Sequence, residues 1–323
     1  MAAAVFSSRA TCAERSPTFA SRCEPVKRRY VTADVFTDRM FGGNPVAVVF
    51  DTADLSTAAR QSIAAEFNYS ETTFVLPPRH ATHTANVRIF TPRAEIPFAG
   101  HPNIGTAFLM ARESAYRAAT AAGRFDFEEA AGLVSVRLIA ERGEIVGAEL
   151  QAPERLSLRT CVAPERAAAC LSLPKEDVKL TRHAPQVISV GLPFLVVEIS
   201  GREALRRAQP DLATHRALLP LDGADAVFAY TQDDDGDLHA RMFSPLDGIL
   251  EDPATGSAAA ATAALLSTLA RDRQIERSWR FHQGVDMGRP SVLMARTTRR
   301  NDAVEAVHIG GRCVAVMEGT FEA

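Results

Sequence analysis

The chain has 323 residues, which is enough for two ordinary domains or one large one. Its composition, 46% hydrophobic and 23% charged, is that of a globular protein, and a net charge of −3 gives no basic excess that would indicate a nucleic-acid partner. The odd number of cysteines, with no CxxC pair, disfavours a disulfide framework or zinc site and favours a reducing, cytoplasmic compartment, and no apolar run reaches the ~18 residues of a membrane span.

Residues 1–29 differ from the rest of the chain. They hold six basic residues and two Glu, are rich in Ala and Ser, and show no strong periodicity. We expect a disordered tail or the product of an upstream start codon. A transit peptide is the alternative, which the two Glu and the missing amphipathic stripe disfavour.

From Tyr30 onward the pattern predicts a strand-rich fold with a few helices. Strands are predicted at residues 30–36, 46–50, 72–76, 85–90, 134–140, 145–150, 187–190 and 195–199, and short strands dominate again after residue 280. Helices are predicted at residues 54–67, 102–112 and 257–269. The acidic run 233–237 lacks the distal Glu of a calcium loop and is interpreted as a hairpin turn.

Three segments recur in the same order with nearly constant spacing. Residues 43–49 resemble 191–197, residues 88–92 resemble 241–245, and residues 101–107 resemble 252–258, at offsets of 148, 153 and 151. This repeat predicts two lobes of similar fold, each with a strand, a loop and a helix that begins at a proline, Pro102 or Pro253.

In each repeat, a loop of small residues leads into the N-terminus of an Ala-rich helix. Free N–H groups and a partial positive charge make such an end a site for a carboxylate or phosphate. We expect the two ends to face one cleft and hold an anionic substrate. The alternative is that Gly105, Gly256 and Ser257 only permit tight packing and capping.

Three titratable residues stand near these helix starts. The repeat places His101 and Asp252 at equivalent positions, and Glu71 lies at the mouth of a predicted strand. Taken singly, they could be a structural histidine, a helix cap and an exposed carboxylate. Together they suit proton abstraction next to a carboxylate or carbonyl. Signatures of nucleotide, zinc-protease and serine-hydrolase sites are absent, so we expect no cofactor and no metal.

The motifs resemble those of the phenazine biosynthesis PhzF-like family. The resemblance rests on five segments in family order, residues 34–48, 68–75, 88–102, 251–258 and 283–291. It implies an α+β diaminopimelate epimerase-like fold of two pseudo-symmetric lobes, each a mixed sheet around a central helix. The lobes would comprise residues 30–131, completed by the last strand near 312–323, and residues 132–311.

The same resemblance implies the roles of the site residues. Glu71 would be the general acid/base, with His101 and Asp252 assisting proton transfer. Gly100, Gly256 and Ser257 would bind the substrate carboxylate, and Asn44 would be a pocket residue. The implied activity is cofactor-independent isomerisation of a small cyclic carboxylate related to a hydroxy amino acid.

Alternatives remain at this point. One is a non-catalytic binder of small anions on the same scaffold, which would need no proton relay. Another is a hydroxyproline dehydratase or racemase, which the absence of cysteines near Gly100 and Asp252 disfavours because that branch uses paired thiols. The family resemblance also predicts a homodimer. From the charge balance and the length of the apolar runs, we expect no nucleic-acid and no membrane partner.

Overall fold

The computed structural model describes residues 26–272, 274–301 and 303–323. The predicted disorder of residues 1–25 lies outside these ranges. The predicted boundary at residue 30 is wrong, because Lys27, Arg28 and Arg29 already belong to the first strand. They pair there with the last strand of the chain, at Glu322, Phe321 and Thr320.

The described ranges contain seventeen strands and seven α-helices. Strands β1 to β17 are Lys27–Val35, Asn44–Val49, Glu71–Leu76, Ala85–Phe90, Glu95–Ile96, Arg124–Glu129, Gly132–Glu141, Glu144–Gln151, Ser157–Cys161, Gln186–Ser189, Pro193–Glu198, Val227–Gln232, Leu238–Ser244, Ile249–Asp252, Glu276–Gln283, Ser291–Arg300 and Ala303–Glu322. Helices α1 to α7 are Thr57–Phe67, Gly100–Met110, Arg117–Ala122, Pro164–Cys170, Arg202–Arg207, Leu212–Leu218 and Gly256–Leu269.

The order of strand pairing occurs twice. β2 is parallel to β3, β3 antiparallel to β4, β4 parallel to β6, and β6 antiparallel to β7. The same sequence of pairings joins β11, β12, β13, β15 and β16. β17 links the two sets because it pairs with β1, β8 and β16. The result is an α+β fold built on one continuous mixed sheet.

One helix in each set is enclosed by strands. Every residue of α2 is buried, and this helix packs mainly on β1, β2 and β8. The Ala-rich α7 is buried over most of its length against β10, β16 and β17. A helix that is apolar on all sides requires such enclosure. At Gly105 the backbone approaches so closely that a Cβ would lie 2.5 Å from Val46 Cγ1.

The expectation that each of these helices begins at a proline is wrong, although the predicted helix at residues 257–269 agrees with α7 to within one residue. Helix α2 begins at Gly100, so Pro102 is its third residue, and α7 begins at Gly256, three residues after Pro253. Proline is accepted anywhere in the first turn because the N–H it lacks would have no partner within the helix. In the second repeat the backbone N–H of Thr255, the residue before α7, binds the side chain of Gln283.

Several predicted elements are confirmed. Strand 85–90 has the predicted bounds, and the hairpin of β7 and β8 turns at Arg142 and Gly143, which have positive φ angles of 52° and 85°. The acidic run 233–237 forms the turn between β12 and β13. The last strand, predicted near residues 312–323, is longer and begins at Ala303.

Candidate active site

Glu71 is the first residue of β3, opposite Val46 of the parallel strand β2. Helix α1 ends just before it, where Asn68 takes up a left-handed conformation with φ of 51°. The Glu71 side chain is only 16% exposed, and its Oε2 has no hydrogen-bond partner among the described residues. Burial, and then the negative charge of Asp252, raise the pKa of Glu71 to about 8.

His101 contacts Glu71 from the first turn of α2. Its Nε2 lies 3.3 Å from Oε2 of Glu71, without the geometry of a hydrogen bond. We assign the hydrogen bond of the ring to the backbone of Pro45 to Nδ1, because Nε2 has no hydrogen-bond partner among the described residues. Burial lowers the pKa of His101 to about 3, against that hydrogen bond. The neutral ring therefore carries its proton on Nδ1 and presents the Nε2 lone pair to the Glu71 carboxyl group.

Asp252 ends β14 and is buried. Its Oδ1 accepts hydrogen bonds from Asn44 Nδ2 at 2.9 Å and from Ser70 Oγ at 3.3 Å. Its Oδ2 accepts one from Thr255 Oγ1 at 2.5 Å. Burial raises the pKa of Asp252 to about 6, while these three donors hold the shift down. Asp252 is therefore the more acidic of the two buried carboxyl groups.

Asn44 connects β2 to the segment that follows β14. Its amide nitrogen donates to Asp252 and, at 2.9 Å, to the carbonyl of Ala254. Its Oδ1 lies 3.3 Å from Ser70 Oγ, whose single proton serves either Asn44 or Asp252. Both amide hydrogens of Asn44 are thus used within the protein, which makes Asn44 an organiser of Asp252 in this structure.

The three small residues of the predicted anion site differ in their surroundings. At Gly100 no atom lies within 4 Å of the position a Cβ would take, so this side of the helix start faces open space. At Gly256 a Cβ would lie 3.3 Å from the Phe36 ring and 3.5 Å from Ile309, so this face packs on the core. Ser257 is half-buried, and its hydroxyl makes no hydrogen bond within the described ranges.

Sequence reasoning assigned no role to several residues that shape this cluster. Gln283 accepts a hydrogen bond from Thr255 N at 3.1 Å and donates to the Asp252 carbonyl at 2.9 Å. Ser70 and Thr255 bind the Asp252 carboxylate directly. The signals were present, since Ser70 precedes Glu71, Thr255 follows Asp252 and Gln283 begins the last motif, but polar residues in loops carry no periodicity that would reveal their partners.

The cysteines of the described chain stand apart from this cluster. Cys161 is exposed, and Cys170 and Cys313 are buried, all with free thiols. Burial raises the pKa of Cys170 to about 11 and that of Cys313 to about 12, which disfavours the thiolate that a two-thiol racemase needs. Cys12 and Cys23 lie outside the described residues.

Two further features concern metals and membranes. Residues 26–272, 274–301 and 303–323 contain no group of three or more His, Cys, Asp or Glu side chains arranged to hold a metal ion. None of the helices in that same part of the chain combines the length and apolar character needed to cross a bilayer.

Comparison with known proteins places this arrangement in a family. The family model for phenazine biosynthesis-like proteins matches residues 33–319. The trans-2,3-dihydro-3-hydroxyanthranilate isomerase of Pseudomonas aeruginosa is 38% identical over 299 residues, covering 90% of this chain and 98% of that protein. An uncharacterised isomerase of Mesorhizobium japonicum is 37% identical over 303 residues, with the same coverage of 90% and 98%.

A solved structure agrees in fold. The crystal structure of the Bacillus anthracis phenazine biosynthesis protein of the PhzF family gives a TM-score of 0.80 at 22% identity, covering 92% of this chain and 99% of that one. Fold and relatives define an enzyme of the isomerase class. The chain belongs to the phenazine biosynthesis-like PhzF family.

Proposed function

We propose that this enzyme is a cofactor-independent isomerase that moves a proton between carbons of a small cyclic carboxylate of the hydroxy amino acid type. The observation that carries the proposal is the contact of Glu71 with His101 at 3.3 Å, between two buried atoms that have no hydrogen-bond partner among the described residues. A binding protein would gain nothing from a buried carboxyl group placed against an imidazole lone pair and near a second buried carboxylate, because desolvating such groups is unfavourable. An acid/base catalyst needs one, with a pKa raised toward neutral pH.

The proton route begins at Glu71. Its carboxylate takes a proton from carbon, and the electrons of the broken C–H bond form a new double bond. The neighbouring double bond shifts, and its far carbon takes a proton back from the Glu71 carboxyl group, so no atom is gained or lost. His101 Nε2 accepts or returns a proton at Glu71 Oε2, and Asp252 influences both through its negative charge.

The substrate carboxylate would bind near Gly100, Gly256 and Ser257. The open space beside Gly100 supports this assignment, as does the Ser257 hydroxyl, which makes no hydrogen bond to any residue that the structure describes. Free N–H groups in the first turns of α2 and α7 would supply donors and a favourable dipole. With the carboxylate fixed, one substrate hydrogen would face Glu71.

The repeated pairings support the proposal of two pseudo-symmetric lobes with the substrate between them. The division at residue 131 stays a prediction. The repeat favours a division after β8. In the first set β6, β7 and β8 pair in succession, and in the second set β15, β16 and β17 pair in the same way, so β7 and β8 belong with the first set. We also propose a homodimer in the cytoplasm, which light scattering would test by returning twice the chain mass of 34.9 kDa.

Solvent exchange tests the function. Wild-type enzyme and Glu71→Gln are incubated in D2O with a panel of cyclic carboxylates, starting with trans-2,3-dihydro-3-hydroxyanthranilate because a relative is named for it. Deuterium should appear at carbon with the wild type. Glu71→Gln should lower kcat by ~10²–10⁴-fold while carboxylate binding persists.

The matched control is Glu129→Gln. Glu129 is also buried. Burial raises its pKa to about 8 against the opposing effect of nearby Asn103, and neither of its oxygens makes a hydrogen bond of good geometry within the described chain. Its exchange rate should stay near that of the wild type. Full activity of Glu71→Gln would move the role to another group, and binding without exchange across the panel would favour the anion-binding alternative.

A further inference from the structure

Arg289 lies outside the acid/base cluster but holds the loop that delivers Asn44. Its Nε donates to the Gly43 carbonyl at 2.9 Å, and its Nη2 donates to the Gly42 carbonyl at 2.8 Å. The same Nη2 donates to Asp34 Oδ1 at 2.7 Å. One guanidinium group thus binds both ends of the loop between β1 and β2.

Asp34 closes that loop from the inside. Its Oδ2 accepts a hydrogen bond from the backbone N–H of Phe41 at 2.6 Å. Phe41 has a positive φ of 67°, which is unfavourable for a residue with a bulky side chain, and the residue is 69% exposed. The exposed ring does not anchor the loop, so Asp34 and Arg289 hold this conformation together with the hydrogen bonds between Thr37 and Arg39.

The segment that carries Arg289, residues 284–291, also binds the other side of the cluster. Ser291 Oγ donates to the carbonyl of Pro253 at 3.0 Å. Gly284 has a φ of 70°, and a Cβ there would lie 2.6 Å from the same carbonyl oxygen. The carbonyl of Pro290 accepts a hydrogen bond from Gly43 N at 3.1 Å. Residues 284–291, which we name the bracket, therefore contact both the residue before Asn44 and the residue after Asp252.

We propose that Arg289 is a positioning residue for the reaction, which fixes the bracket to the loop before Asn44 and so holds the Asn44 amide against Asp252. The proposal rests on the proposed function of the acid/base cluster. Lysine cannot replace this group, because the planar guanidinium reaches two carbonyls and a carboxylate in a fixed geometry.

Loss of the guanidinium has a predictable consequence at Asp252. Two carbonyls and the buried carboxylate of Asp34 would lose their donor, and the strained Phe41 would relax, three residues before Asn44. Burial raises the pKa of Asp252, and the hydrogen bond from Asn44 lowers it. If that hydrogen bond weakens, the pKa of Asp252 should therefore rise further. A change that only lowers overall stability would leave the titration of the folded protein where it was.

The test compares Arg289→Met with Arg202→Met. Arg202 is the matched control because it forms a bidentate pair with Asp286 of the same bracket, at 2.8 and 2.9 Å, without binding the loop before Asn44. Arg289→Met should lower kcat by on the order of 10- to 100-fold, the scale of a small misplacement of reacting groups. Arg202→Met should keep the wild-type rate. Millimolar guanidinium should restore part of the rate in Arg289→Ala.

A second readout needs no turnover. Asp labelled with ¹³C at the carboxyl carbon is titrated by NMR in both proteins, with Asp252→Asn to assign the signal. The Asp252 signal of Arg289→Met should titrate at higher pH than that of the wild type and of Arg202→Met. If wild-type enzyme turns over no carboxylate, the proposed function fails while this titration still decides the role of Arg289.

Two results would overturn the positioning role. One is an Asp252 titration in Arg289→Met that coincides with the wild type. The other is a rate loss of equal size in Arg202→Met and Arg289→Met. Should Arg289→Met not fold, Arg289→Lys keeps the charge and should still show the shifted titration, because one ammonium group cannot satisfy all three acceptors.

Discussion

Nε2 of His101 lies 3.3 Å from Oε2 of Glu71, and neither atom has a hydrogen-bond partner among the described residues. The pKa of the carboxyl group is raised and that of the imidazole is lowered, in both cases chiefly by burial. The resting pair is therefore neutral, a carboxylic acid beside an imidazole lone pair. Proton transfer along this contact creates an ion pair. The negative charges of the substrate and of Asp252 stabilise its imidazolium end and destabilise its carboxylate end.

The pH dependence of kcat/KM should report the ionisation of Glu71. A base must be deprotonated to act, so the rate should rise with pH and level off above an apparent pKa near the value of about 8 for Glu71. Asp252→Asn removes a negative charge that raises this pKa, so the ascending limb should move to lower pH even as the maximal rate falls. The measurement is a kcat/KM profile for both proteins. A limb that stays in place in Asp252→Asn would show that the two carboxyl groups are not coupled.

Two substitutions of His101 separate its hydrogen bond to Pro45 from its contact with Glu71. His101→Asn can keep a donor near Nδ1 toward the Pro45 backbone, while His101→Gln places an amide nearer Nε2. Neither amide relays a proton. Both should therefore lower kcat by ~10²–10⁴-fold.

Thermal unfolding of the His101 variants provides the control. His101→Asn should stay closer to the wild type in stability, because it can keep the hydrogen bond to Pro45. If His101→Asn retains wild-type kcat, the histidine serves only that hydrogen bond and the relay is wrong.

The sequence predicts some residues of this site and not others. Glu71, His101 and Asp252 could be chosen in advance because the repeat and the motif order mark them. The Asn44–Asp252 hydrogen bond could not, because it joins residues 208 positions apart whose proximity depends on the sheet topology. The hydrogen bond from Thr255 N to the side chain of Gln283 could not be predicted for the same reason, because it joins residues 28 positions apart. Local propensity carries no record of such long-range donors.

Burial of Glu129 should make stability depend on pH. Its pKa is about 8 in the folded protein against 4.5 for the free side chain, so the folded state keeps a proton that the unfolded state releases. Stability from this group is full below pH 4.5 and is lost as pH rises through 8. Glu129→Gln removes the effect, so its advantage over the wild type in free energy of unfolding should grow by up to ~1.4 kcal/mol per pH unit across this range.

Urea unfolding at several pH values measures this difference. Glutamine suits the position because its amide can donate to Asn103 Oδ1, a buried acceptor without a hydrogen bond in the described structure. Glu71 has the same direction of shift and persists in the variant, so part of the pH dependence should remain. Parallel curves for the two proteins between pH 5 and 8 would mean that Glu129 is ionised in the folded protein.

Gly100 and Gly105 lie about 1.4 helical turns apart in α2 and should respond differently to alanine. At Gly105 the added methyl group would lie 2.5 Å from Val46 Cγ1 and 2.8 Å from Val35 Cγ2, so Gly105→Ala should destabilise the protein by about 1–3 kcal/mol. At Gly100 the methyl group enters open space, so Gly100→Ala should leave the unfolding midpoint near that of the wild type.

The open space beside Gly100 is where we place the substrate carboxylate. The KM of Gly100→Ala should therefore rise about tenfold, the effect of losing ~1.4 kcal/mol of binding free energy. Denaturant melts and steady-state kinetics on both variants measure these effects. An unchanged KM in Gly100→Ala would move the carboxylate site away from the start of α2.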